Sequence, residues 1–215
     1  MLHGKIACAI QSDSVQSFPN ASKPIRKNVM KGLANCRFAH IVTHGFFNDT
    51  SSGGESSDHS AADAFQMPSR NPLTESGLLI GTDGDSKHRA RSDNGFLTAE
   101  DLLDADLQGC RLVTLSACDT ARGRELSSQG VLGLRSALMG AGTKCVLLSL
   151  WPVPDRPSSE LMKVFYQKMI NGDSPVIALR KAQSAIRSNE KWQAPYYWAA
   201  WIIVGDGWEK LLSKT

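Results

Sequence analysis

The sequence predicts an α/β fold built on a mostly parallel sheet with helices on both faces, and three observations predict it. Apolar, β-rich runs alternate with segments of helical periodicity throughout the second half of the chain, the pattern of parallel strands joined by crossover helices. Two runs, Phe38 to Gly45 and Leu112 to Ala117, are apolar almost without a break, as strands buried on both faces are. A length of 215 residues with 41% apolar and 21% charged content suits one domain with a sizeable core.

Taken in order, residues 1–23 are weakly patterned: Lys5 to Ile10 reads as a short strand, and Gln11 to Ser22 as polar turn material. Residues 24–210 form the patterned domain. Pro24 suits a first helical turn, and Ile25, Val29 and Leu33 recur at helical spacing up to Asn35. The strand ending at His44-Gly45 follows. Residues 48–72 are rich in Ser, Gly, Asp and Asn, and 82–94 are polar with a basic segment, Lys87 to Arg91. Both are expected to be flexible loops, the first far longer than the usual connection of about 4–6 residues. Gly77 to Ile80 is strand-like. Thr98 with Asp101 three residues on resembles a capping arrangement for a short helix through Asp104.

Beyond Leu112 to Cys118, Val131, Leu134 and Leu138 mark a helical face that ends near Gly140, and Lys144 to Leu150 is a buried strand. Leu161, Val164, Phe165, Lys168 and Met169 give a helix closed by Asn171-Gly172. Ser174 and Pro175 open another, carrying Val176, Leu179, Ala182 and Ile186. Tyr197 to Val204 reads as the last strand, ended by Gly205-Asp206-Gly207.

Composition excludes several classes. A net charge of +3 is too small an excess to argue for nucleic acid. Five well-separated cysteines without a C-x-x-C pair fit neither a disulfide framework nor a zinc site, so no metal or other cofactor is expected and a reducing, cytoplasmic setting is. No run of roughly 18 apolar residues suggests a membrane span, so no membrane partner is expected. Neither G-x-G-x-x-G nor G-x-x-x-x-G-K-[ST] follows a strand, which argues against nucleotide binding.

The chemistry converges on two strand ends. Cys118 follows the apolar run and precedes a polar turn, Asp119 to Gly123, so its sulfur belongs at the rim of the sheet. It is read either as a nucleophile or as a core thiol, and position alone balances the two. A thiol of pKa about 8.5 needs an imidazole or a positive environment to attack. His44 can supply that, and Gly45 lets the backbone turn sharply behind it. His40, within the same strand, reads as a satisfied core histidine. Asp155 runs off a strand into the same rim, and its plain reading is a helix N-cap before Pro157. Trp151, Trp198 and Trp201 wall a pocket or, as aromatics at strand positions usually do, fill the core.

A resemblance sharpens this. The blocks His40-Ile41-Val42-Thr43-His44-Gly45, Leu97-Thr98-Ala99-Glu100-Asp101-Leu102, Leu115-Ser116-Ala117-Cys118-Asp119-Thr120, Gly130-Val131-Leu132-Gly133-Leu134, Leu148-Ser149-Leu150-Trp151-Pro152-Val153-Pro154-Asp155 and Tyr197-Trp198-Ala199-Ala200 resemble, in order and spacing, the CHAT family. This is a caspase-like domain often attached to tetratricopeptide repeats and related to caspases and separase. The resemblance implies a caspase-like three-layer sandwich and a cysteine endopeptidase acting on protein or peptide substrates, regulated by a tetratricopeptide-repeat or other partner. It implies His44 as general base and acid, Cys118 as nucleophile, and the backbone N–H groups of Gly45 and Cys118 as oxyanion donors. Asp155 would pair with a basic P1 side chain, as an acidic residue in a similar block does in separase-like relatives. Most relatives carry a longer portion before the His-Gly strand, which implies a sheet incomplete at one edge. The alternative is a catalytically weak or inactive caspase-like interaction module.

Overall fold

The computed structural model describes residues 5–10, 14–18, 26–47, 73, 76–80, 96–117 and 128–211. The loops expected at 48–72 and 82–94, with the basic segment Lys87 to Arg91, lie outside them. Eight strands are present among the described residues: β1 (Lys5–Ile10), β2 (Ser14–Phe18), β3 (Phe38–Phe47), β4 (Ser76–Leu79), β5 (Phe96–Thr98), β6 (Leu112–Ala117), β7 (Cys145–Ser149) and β8 (Trp201–Gly205). Five α-helices accompany them among these residues: α1 (Arg26–Ala34), α2 (Ala99–Leu103), α3 (Ser128–Gly140), α4 (Asp155–Ile170) and α5 (Pro175–Arg187).

The main sheet runs β2-β1-β3-β6-β7-β8, and β4, with β5 beside it, pairs with β3. Its centre, β3-β6-β7, is parallel, as the alternation of strands and crossover helices requires, and β1 and β8 flank it antiparallel. Strand alternation divides the core in two. Ala39 and Ile41 of β3, Val113 and Leu115 of β6, and Val146 and Leu148 of β7 pack with Val29 and Leu33 of α1, Leu102 of α2, and Leu134 and Leu138 of α3. Leu112 and Cys145, one residue out of phase, join Leu147 and Trp201 against Leu161 and Phe165 of α4 and Leu179 and Ile186 of α5. Helices therefore cover both faces of the sheet, giving the three layers of an α/β caspase-like sandwich. No helix among the described residues is long and apolar enough to cross a membrane.

Local chemistry sets the element ends. Thr98 Oγ1 accepts from the Asp101 N–H at 3.2 Å while the Asp101 carboxylate accepts from the Thr98 N–H at 2.9 Å, so the predicted capping box starts α2. Arg26 of α1 pairs with the same carboxylate and ties the two helices together. Helix α4 ends at Asn171, and Gly172, at φ +90°, takes the left-handed turn that closes it.

Three expectations need correction. Ser14–Phe18, read as turn, is a strand that forms a hairpin with β1, so the side of β3 away from β6 is occupied. Strand β3 continues past Gly45 to Phe47, because β4 supplies partners for His44 through Phe47. The last strand starts at Trp201 rather than Tyr197, since Pro195 to Tyr197 forms a 3-10 turn instead.

Candidate functional site

The two predicted reactive residues follow the last rung of one ladder. Strands β3 and β6 pair in parallel from Phe38↔Leu112 to Thr43↔Ala117, and His44 and Cys118 are the next residue of each chain segment. His44 is described as backbone within β3. Cys118, with Asp119, lies outside the described residues. At His44 the strand changes partner: the rungs to β6 end and those to β4 begin, His44↔Leu79 and Gly45↔Leu78. The Thr43 hydroxyl donates to the Leu79 carbonyl across this junction. Gly45 is buried there, so it packs inside a sheet junction rather than making the sharp turn expected of it.

Beneath the rim, three polar side chains meet on the α4 face. His40 and Thr114 are register partners, and Tyr166 of α4 donates its hydroxyl to Thr114 Oγ1 at 2.8 Å. The His40 ring lies 5.6 Å from that of Tyr166, and its Nε2 has no hydrogen-bond partner among the described residues. The sequence reading of a satisfied histidine is therefore corrected: His40 is half-buried beside Tyr166, and its Nε2 is unpaired among the described residues. Burial holds its pKa down to about 4 and raises that of the Tyr166 phenol. Sequence reasoning missed Thr114 and Tyr166, although a threonine inside an otherwise apolar run was a signal.

This histidine predicts a pH dependence. Above about pH 6.5 it is neutral in folded and unfolded chains and contributes no slope. Below that the unfolded chain takes up a proton that the folded chain refuses until about pH 4. Stability is lost as pH falls through this window, by about 3 kcal/mol. His40→Leu should remove that part of the slope and leave the variant more stable than the parent at pH 4.5. Urea midpoints measured from pH 7 to 4 check this, and parallel profiles for the two chains would refute it.

The second side of the rim is the connection from β7 to α4. Pro154, at φ −55° and ψ 147°, is the residue that caps α4, and Asp155 is the first helical residue, exposed and without a capping bond. The reading of Asp155 as an N-cap is thus corrected; its carboxylate makes no ion pair among the described residues and lies at the positive end of the helix dipole. Half-buried Trp151 donates its indole N–H to the Tyr196 carbonyl at 3.0 Å, fastening this connection to the 3-10 turn. Gln183 of α5, also unforeseen as a site element, donates to the carbonyls of Trp198 at 3.1 Å and Trp201 at 2.9 Å and fixes that turn in place. Trp198 is half-buried, with its indole donating to Gln193 at 3.0 Å, whereas Trp201 is 1% exposed and belongs to the core. Among the described residues no three His, Cys, Asp or Glu side chains gather closely enough to hold a metal ion.

Comparison with known proteins agrees with this architecture. Tetratricopeptide repeat protein 28 from Mus musculus is 37% identical over 111 residues, and its Homo sapiens counterpart is 35% identical over the same length. Each match covers 52% of this chain and 4% of the relative, so the chain corresponds to a small part of those proteins. A family model described as the CHAT domain matches residues 6–206, from the first strand of the sheet to just past the last. The chain belongs to the CHAT domain family.

Proposed function

We propose that this domain is a cysteine endopeptidase in which Cys118 attacks the scissile carbonyl and His44 moves the proton. The observation that carries the reading is the parallel ladder that ends at Thr43↔Ala117. His44 and Cys118 directly follow this rung in sequence, and adjacent strands lie about 4.8 Å apart. A thiol and an imidazole can bridge such a span. His44 as general base yields the thiolate, and the imidazolium then protonates the leaving amine, leaving an acyl-enzyme that water hydrolyses. The N–H groups of Gly45 and Cys118 serve as donors to the oxyanion, where losing one such donor typically costs about 3 kcal/mol.

Asp155 is the selectivity residue of this reading. Its carboxylate is uncapped, exposed and on the C-terminal side of the sheet, available for a bidentate contact with a guanidinium. The substrate is then a protein or peptide with a basic P1 residue. The names of the two relatives support a tetratricopeptide-repeat partner as regulator, and reduced thiols fit a cytoplasmic setting.

Peptide acyloxymethyl ketones that differ only at P1 test both parts. Cys118 should acquire a covalent adduct, identified by peptide mapping, about 10- to 100-fold faster with arginine than with norleucine at P1. Asp155→Asn should erase that preference and retain the adduct. A folded chain that leaves Cys118 unmodified by every probe sinks the peptidase reading and favours an interaction module.

A further inference from the structure

At the opposite end of the same two strands lies a pair of sulfurs. Cys36 precedes β3 and Cys110 precedes β6, two residues below the first rung Phe38↔Leu112, so the register that brings the strand ends together also matches these two positions. Their Sγ atoms are 4.0 Å apart although the residues are separated by 74 positions in the chain. The carbonyl of Arg37 accepts from the N–H groups of Arg111 at 2.7 Å and Leu112 at 3.3 Å, which locks the two backbones side by side at this level. Both residues are buried, at 1% and 0% exposure, within the core layer under α1, α2 and α3.

We propose that Cys36 and Cys110 are a latent dithiol that closes to a disulfide within the native fold when the chain meets a hydroperoxide. The Sγ atoms need to approach by about 2 Å to reach the S–S bond length of roughly 2.05 Å, and the two cysteines lie in irregular segments that can give by that much. In the first step one thiol gives up its proton and the thiolate attacks the terminal peroxide oxygen; the O–O bond breaks, giving a sulfenic acid and, from hydrogen peroxide, a hydroxide that regains the proton as one water. In the second the neighbouring thiol attacks the sulfenic sulfur, its proton leaves with the departing hydroxide as a second water, and the S–S bond forms. Two thiols are oxidised and one peroxide is reduced. Burial restricts peroxide access and makes the first step slow, but proximity makes the second fast, so the sulfenic acid is captured before it can be trapped or oxidised further.

Cys145 contrasts with this pair. It is also buried, its Sγ donates to the Arg111 carbonyl at 3.3 Å, and burial, helped by the Asp206 carboxylate, pushes its pKa up to about 12. It stays out of the exchange. The product ties β3 and β6 at their starts, while the proposed dyad uses their ends.

The test is independent of peptidase activity. The full chain and its Cys118→Ala form, which removes the expected rim thiol as a competing target, are treated with hydrogen peroxide in the presence of dimedone and digested without reduction. The expected result is a Cys36–Cys110 cross-linked peptide about 2 mass units lighter than its reduced parts, no dimedone on either residue, and reversal by dithiothreitol. Cys36→Ala and Cys110→Ala should each abolish the link. The oxidised chain should melt above the reduced one, because the bond closes a long loop of the unfolded chain. The proposal is overturned by both thiols persisting after Met oxidation is complete, by sulfinic acid at either position, or by linkage of a different pair. A linked chain that melts below the reduced one overturns it as well, since the bond then forms by distorting the fold. Should an alanine variant fail to fold, the mapped link in the parent chain decides.

Discussion

Cys118→Ala is expected to lower kcat for peptide hydrolysis by about 10⁴-fold or more, with KM changed little. Removing the sulfur removes the covalent path, and only binding and the oxyanion donors remain. His44→Ala should cost nearly as much, because a thiol without its base rarely reaches the thiolate near neutral pH. The two losses should not add: the double variant should be about as slow as Cys118→Ala alone, since the residues act as one device. Steady-state kinetics on a substrate with a basic P1 residue measures all three, with urea unfolding run alongside to show that stability is unchanged. Residual activity within ten-fold of the parent in either single variant would assign the chemistry to other residues. A chain with no measurable activity before mutation would point to the interaction module instead.

Much of this arrangement is legible in the sequence because it rests on continuous apolar runs. Phe38 to Thr43, Leu112 to Ala117 and Cys145 to Ser149 form the parallel centre of the sheet, and strands buried on both faces must look that way. The capping box at Thr98 and Asp101 and the turn at Gly172 were equally readable, since each needs particular residue types at fixed spacing. What escaped reading depended on partners distant in the chain. A glycine within a strand normally signals its end, yet β4 carries β3 through Gly45 to Phe47. Tyr197 and Trp198 have the composition of a strand, but Pro195 and the bonds from Gln183 hold them in a turn. Ser14 to Phe18 is half polar, as an edge strand can be, and only its pairing with β1 identifies it. Asp155 looked like a cap because acidic residues usually are; Pro154 holds that place, and this leaves the carboxylate exposed and uncapped. His40 lies beside Tyr166, which is supplied by a helix far along the chain, so no local pattern could show that its Nε2 lacks a partner among the described residues.

That helix also determines the largest expected effect on stability. Phe165→Ala should lower the unfolding free energy by about 3–5 kcal/mol. Phe165 has no exposed surface, and its ring meets Tyr166 edge-on with centroids 5.1 Å apart. It packs in the layer formed by Leu147 of β7, Leu161 and Met169 of α4, Ala182 of α5 and Trp201 of β8. Backbone on every side is fixed by the sheet ladder or by two packed helices, so the space left by the ring collapses poorly and the cavity cost adds to the lost burial. Domains of this size are stable by only about 5–15 kcal/mol, so a loss of this scale removes a large part of the margin. Phe165→Leu, which keeps most of the volume, should cost about 1–2 kcal/mol. Urea unfolding of the three chains at pH 7 measures this: midpoints should fall in the order parent, Leu, Ala with the slope unchanged. The alanine variant should also be the weaker peptidase at temperatures where it is still mostly folded, because α4 carries Asp155 at its first residue and, through Tyr166, steadies Thr114 four residues before Cys118. Equal midpoints for parent and alanine chains would mean that α4 does not pack on the sheet as described, and both the placement of Asp155 and the support of β6 would fall with it.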